Sequence, residues 1–389
     1  MRSLPIILLF LVIASSAGHA GWKENLALSG YFRETPVVWD PAYPATHESG
    51  SSYRLTDLLN FRQNFRYYAS QNVTMAIELK ERSYIGKDAG LLLHSISYDA
   101  RPPYFDWTRN FVEDSDFIIQ GIIDRLWIQF AWKSAELTLG RQRIAWGTNL
   151  VWNPTDIFNP SFPLDFDNEE KPGADAARLQ VYLSPSSSVE LAVAPGREAD
   201  STTAALRIKI NRWKYDWILI AGRRRAEVVA GFSWAGSISR GGFRGEFLYA
   251  APRSAWTASM DGYLTGSISG DYTFPCTLYL QGAVLYNQRG TTDKAGGSRL
   301  LQSVLRGDLT PGRLSLLGEF SIDLNPLWRA ELVGIINPYD RSFYAGPDLR
   351  WSAMTDLDLI FMGLLFGGEK GTEFGDDSRM ILLWAKYSY

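Results

Sequence analysis

Cations recur on the polar side of segments in which polar and apolar residues alternate. They are Arg62, Arg66, Lys80, Arg125, Arg141, Arg143, Arg207, Lys209, Arg244, Arg329, Arg350 and Lys386. Guanidinium and ammonium groups lined along a low-dielectric wall concentrate anions by their summed field. They break no bonds unaided. Glu78, Glu246, Glu319, Glu331 and Asp348 share the same polar side and are too few to cancel the cations, although cross-strand pairing would absorb many of them. Nothing points to catalysis: beyond residue 20 the only histidines are His47 and His94, in polar connections, and no nucleophile with an orienting partner can be named. The single Cys276 and those two distant histidines make no tetrahedral metal site, so neither metal nor cofactor is expected.

The elements that hold these cations read as strands. In Asn72 to Arg82, Val73, Met75, Ile77 and Leu79 take one face while Thr74, Ala76, Glu78 and Lys80 take the other. The pattern returns at Leu206 to Asn211, Phe243 to Tyr249 and Trp328 to Ile336, and no amphipathic helix of comparable length competes with it. Strands are expected to start near residues 24, 58, 72, 121, 135, 174, 187, 201, 213, 226, 241, 256, 276, 313, 327, 342, 356 and 378, about eighteen in all, with 16 as the alternative. Short connections such as Ser70-Gln71 and Asn325-Pro326 alternate with long polar ones. The chain opens with Arg2, an apolar run from Leu4 to Ala14 and small residues to Ala20, the layout of a cleaved secretory signal over 1–20. The 389 residues include 14 Trp and 19 Tyr and carry a formal charge of −3, and beyond the signal no apolar run is long enough for a membrane helix. Residues 21–389 are therefore expected to form one all-β domain that crosses a membrane with strands, as an antiparallel up-and-down barrel.

The stretch GRQRIAWGTNLVWNPTDIFNP, residues 140–160, tests that reading. Strict alternation after Leu137 and Leu139 would aim Arg141 and Arg143 at lipid, where each would cost about 2–4 kcal/mol near the bilayer middle. A β-bulge at Gly140 would insert one residue and turn both arginines inward, with Gln142, Ile144 and Trp146 outward. A short strand that leaves both arginines at the rim is the alternative. The next connection, 147–173, is long, rich in apolar side chains and stiffened by Pro154, Pro160 and Pro163. It is expected to fold into the barrel and narrow it, with Trp152, Asp156, Phe158, Asp165 and Asp167 at the constriction; capping the outer mouth is the competing reading. Asp165, Asp167, Glu169 and Glu170 read as a solvated charged run.

The last strand, MILLWAKYSY, sets Ile381, Leu383, Ala385, Tyr387 and the terminal Tyr389 on one face. A closing strand with alternate apolar residues and a terminal aromatic resembles that of bacterial outer-membrane barrels. The whole processed chain is similar to porin-type channels, and the GRQ…WG stretch more loosely resembles large porin-like and alginate-export-type barrels. The resemblance implies an outer-membrane location in a Gram-negative bacterium, recognition of the strand ending in Tyr389 by the barrel-insertion machinery, contact with outer-membrane lipid and lipopolysaccharide, and passage of small hydrophilic solutes, to which the excess of inward cations adds a weak preference for anions. Arg223 to Arg225, at an expected hairpin tip, suit outer-leaflet phosphates rather than nucleic acid. A homo-oligomer is left open. The alternative function is a plugged barrel that serves as the membrane component of an export or electron-transfer assembly.

Overall fold

The computed structural model describes residues 25–39, 53–87, 89–90, 104–159, 171–253, 262–296, 303, 307–375 and 379–389. The expected signal, His47, His94, Asp165, Asp167, Glu169 and Glu170 lie outside the described residues. Alternation produces strands because each second side chain stands on the same face. The first three are β1 (Leu26–Trp39), β2 (Arg54–Ser70) and β3 (Val73–Ile85), followed by the short β4 (Thr108–Glu113), then β5 (Phe117–Ala131) and β6 (Ala135–Gln142). Next come β7 (Ala174–Ser184), β8 (Ser187–Ala194), β9 (Thr203–Arg212), β10 (Tyr215–Arg224), β11 (Glu227–Ile238) and β12 (Gly241–Pro252). The remainder are β13 (Tyr263–Thr273), β14 (Tyr279–Asn287), β15 (Leu314–Asn325), β16 (Trp328–Asn337), β17 (Ser342–Met354), β18 (Leu357–Gly367) and β19 (Met380–Ser388).

All pairings are antiparallel between neighbours, and β1 pairs with both β2 and β19. The sheet is therefore a closed barrel of eighteen strands, with β4 as a short supplement to the wall. β5 pairs with β3 along its length, with β4 through Ile118 to Ile122 and with β6 through Leu126 to Ala131. β4 thus takes the place beside upper β5 that β6 gives up when it ends at Gln142. The strand positions read from alternation agree with the structure, the largest offset being at β13. β4 was missed.

One end of the barrel carries short turns, such as Trp213-Lys214, where both residues have positive φ (57° and 66°) and close a tight hairpin whose twist matches its strands. The other end carries the long connections. Outside, the faces are apolar, with Leu28, Phe32, Leu126, Leu219, Phe232 and Ile336 among the exposed side chains. Stacked Trp328 and Trp351, 5.3 Å apart, lie near the short-turn end, where an aromatic girdle belongs.

The seam is fastened at Gly30, which exchanges two backbone hydrogen bonds of 3.0 Å with Tyr389. A Cβ on Gly30 would fall 2.2 Å from the Arg62 carbonyl oxygen and 2.6 Å from the Tyr389 hydroxyl. Gly30→Val is expected to destabilise the closed barrel by about 1–3 kcal/mol through overpacking. A lower unfolding midpoint in denaturant, read from heat-modifiable gel mobility, checks this; an unchanged midpoint contradicts it.

Candidate functional site

Inside the barrel the faces are graded along the axis. Toward the long-loop end, inward side chains of β1–β3 and β14–β19 include an apolar cluster, Val37, Leu58, Leu285, Leu317, Ile335 and Leu382, set among buried polar groups such as Thr56, Ser315 and Asn337. Toward the short-turn end the same strands turn charged, with Arg62, Arg66, Glu319, Glu331, Asp348, Arg350 and Lys386 on the inward positions. Cations gather on β1–β3, β5 and β19, and acids on β13–β17.

The feature that crosses this interior is the segment after β6. Gly140 has φ +112°, a left-handed conformation that favours glycine, and a Cβ there would meet the Leu126 carbonyl oxygen at 2.3 Å. The bulge expected at Gly140 is not there: its ladders to β5 and β7 keep unbroken register. The irregularity sits one strand away, where Glu78 pairs with Arg125 and Leu79 with Ile123, so Asp124 is the extra residue. Gln142 is buried, contrary to expectation, and its amide donates to the carbonyls of Thr138 (3.0 Å) and Ala176 (3.1 Å). Ile144 and Trp146 were expected to face lipid; they are buried against Ala176, Ala192, Ala205 and Ile218 on the inner wall. The reason is that β6 ends and the chain leaves the wall, so its next apolar face seeks protein instead of lipid. With Ile144 and Trp146 turned to the wall, the exposed Arg143 and Ala145 alternate away from it toward the lumen.

Residues 144–159 lie within the barrel. Glu246 of β12, fully buried, is the anchor. Its carboxylate accepts from the Thr148 amide, the Thr148 hydroxyl (3.1 Å), the Asn149 amide (2.7 Å), the Thr155 amide (3.0 Å) and the Thr155 hydroxyl (2.7 Å). A buried carboxylate costs little when several N–H and O–H groups aim at it, and each such bond is stronger than a neutral one. Asn149 reaches further, to the Ser267 carbonyl and the Ser269 hydroxyl of β13. The Trp146 indole donates to Glu190, which also pairs with Arg178 at 2.8 Å. Phe158 meets Trp146 edge to face at 4.9 Å. Asp156 pairs with Lys171. Trp152 departs from this group and packs in the other apolar cluster with Tyr84, Leu309 and Phe374, so the loop spans between two parts of the wall.

Many of the sequence-selected cations are paired. Arg62 bridges Glu78 and Asp124 (2.7 Å), and Arg125 lies 3.4 Å from Glu78. Arg141 donates through Nε to the Asp124 carbonyl (3.0 Å) and faces Asp175 at 3.6 Å. Lys209 pairs with Asp216 (3.0 Å), Arg244 with Asp271 and Arg329 with Asp323 (3.3 Å). Among the described residues Arg66, Arg143, Arg207 and Arg350 make no ion pair, Arg66 instead lying 5.9 Å from the Trp127 ring. Lys80 is buried, and Lys386 sits 4.6 Å from the Tyr31 ring. Inward Arg33 and Arg82 were missed, as were Glu190 and Asp124. Arg33 lies 4.4 Å from the Trp384 ring. Arg224 turns inward to Glu227 (2.7 Å) and the Tyr263 hydroxyl (2.5 Å), while Arg223 pairs with Asp200 (3.0 Å).

No family model matches this chain, and no curated protein matches it. Solved structures do. Pseudomonas aeruginosa OprD, described as an outer membrane protein, superposes with a TM-score of 0.60 at 10% identity, over 96% of this chain and 97% of that one. The fold is that of the OprD-type outer-membrane barrels. OccK5 (OpdH) of the same organism gives a TM-score of 0.59 at 11% identity, over 95% and 99% of the two chains. OccAB1 of Acinetobacter baumannii gives 0.56 at 9%, over 95% and 99%. At such identities the OprD-type likeness extends to the architecture, and the side chains of the interior must be read from this chain.

Replacing Glu246 by Ala strands the amides of Thr148, Asn149 and Thr155, at roughly 1–3 kcal/mol for each donor left unsatisfied. Hydrogen exchange over residues 148–155 is expected to accelerate sharply while β11–β13 stay protected. Unchanged protection of that segment would remove Glu246 as the anchor.

Proposed function

We propose that this chain is an outer-membrane channel for passive diffusion of small hydrophilic solutes, with a weak preference for anions. The observation that carries the reading is the pairing of an inward-anchored loop with inward cations that retain exposure and make no ion pair among the described residues, Arg66, Arg143 and Arg350. Exposure on an inward face means water reaches those groups within the barrel, and a low-dielectric wall strengthens their field there. The structural likeness to OprD, an outer membrane protein by description, supports the location. In this reading the short-turn end is periplasmic, residues 1–20 are removed near Ala20, the strand ending in Tyr389 addresses the insertion machinery, and lipid and lipopolysaccharide cover the outer face. Arg62, Lys80, Arg125, Arg207, Lys209, Arg244 and Arg329 line the path, Arg141 instead keeping the ladder position opposite outward Leu126, and Trp152, Asp156 and Phe158, with Asp165 and Asp167 further along the loop, shape its narrowest part.

A second reading rests on a different observation. Trp152, Leu309 and Phe374 come from three separate connections and pack into the apolar cluster of the long-loop end. A barrel filled in this way serves as the membrane component of an assembly and passes no current.

Purified chain in a planar bilayer separates the two: steady ohmic current supports the channel, and its absence at protein densities that insert supports the plug. In the conducting case, Arg143→Ala combined with Arg350→Ala is expected to lower chloride-over-potassium selectivity severalfold. Selectivity indifferent to both would withdraw the anion preference.

A further inference from the structure

The outward face of β1–β5 departs from the apolar rule. Glu34 on β1, Asp57 on β2 and Glu81 on β3 all stand on it, with exposed Val38 and Leu55 continuing the apolar face above them and exposed Ile85 opposite Asp57. Carboxylates are disfavoured on a surface that meets acyl chains. None of the three has an ion pair among the described residues; Asp57 accepts the backbone amide of Leu58, and its Oδ1 is enclosed without a partner. On the same outward row, Glu81 is opposite Gly121 of β5, and Gly121 is opposite Arg109 of β4. Arg109 is exposed and likewise makes no ion pair among the described residues. Between the acid and the base lies an aromatic ring: a Cβ on Gly121 would fall 2.6 Å from Cε2 of Phe111, so Phe111 covers that glycine from outside while remaining 54% exposed.

An acid, an exposed aromatic and a base in that lateral order are self-complementary under a two-fold axis. Two copies inserted in one membrane share their up direction, so the axis of a closed pair runs along the membrane normal and exchanges left with right. Facing another copy across Phe111, Glu81 of each meets Arg109 of the other, and the two Phe111 rings form the buried centre that an interface of this kind needs. We infer that this face is covered by a second copy of the same chain, in a two-fold dimer through β1–β5. Lipid leaves Glu81 and Arg109 unpaired, whereas a second copy pairs these two and removes them from hydrocarbon at once. The dimer is independent of whether the lumen conducts.

The test is native mass spectrometry of the full processed chain extracted in mild detergent, with folding of every variant verified by heat-modifiable mobility. Wild type is expected to be dimeric, Arg109→Glu monomeric, and the charge-exchanged Arg109→Glu/Glu81→Arg chain dimeric again. In a Cys276→Ser background, oxidation of mixed Glu81→Cys and Arg109→Cys chains is expected to give a linked dimer that neither chain gives alone. A wild-type monomer or trimer, a dimer that survives Arg109→Glu, or folded charge-exchanged chains that stay monomeric would each overturn the inference. Conductance per barrel in the monomeric Arg109→Glu variant reads the channel proposal separately.

Discussion

A peptide group in hydrocarbon has no water to bond, so a sheet that crosses a bilayer must have no free edge. Everything else in this chain depends on meeting that condition where β1 meets β19. Once Gly30 and Tyr389 close the ring, two surfaces are defined, and alternation assigns every side chain to one or the other. The outer surface is then free to be apolar nearly throughout. The inner one can hold charge, because its carboxylates and guanidinium groups find one another across adjacent strands.

That condition also explains what the sequence disclosed readily. Period-two alternation is imposed on each crossing strand, so strand starts were legible to within a few residues over most of the chain. β4 escaped because Thr108 to Glu113 shows no such alternation: it is a supplement to the wall, exposed along most of its length, and is held by its ladder to β5. The inward direction of Arg62, Lys80 and Arg329 followed from their neighbours on the same strand. Arg33 shares that direction with Tyr31, and the same rule would have found it.

The loop interior was harder, for a physical reason. Apolar side chains such as Ile144 and Trp146 satisfy hydrocarbon and a protein interior equally, so their type does not say which side of the wall they occupy. The distinguishing signal was on other strands. Ala176, Ala192, Ala205 and Ala250 occupy inward positions on β7, β8, β9 and β12, and such a smooth apolar inner surface is a seat for a segment from elsewhere. Glu246 was recognised as an inward anion, but its donors are backbone amides some ninety residues away in sequence, and no spacing rule reveals them.

The inward loop has a mechanical consequence. It is fastened to β8, β12 and β13 by hydrogen bonds, and to the β1–β3 and β14–β19 side by the packing of Trp152. A hollow cylinder resists flattening only through its wall, whereas one with an internal strut also resists through the strut. Lateral pressure that squeezed this cross-section into an oval would have to compress or detach that cross-member, so the width of the passage and the roundness of the whole shell are governed by the same few attachments.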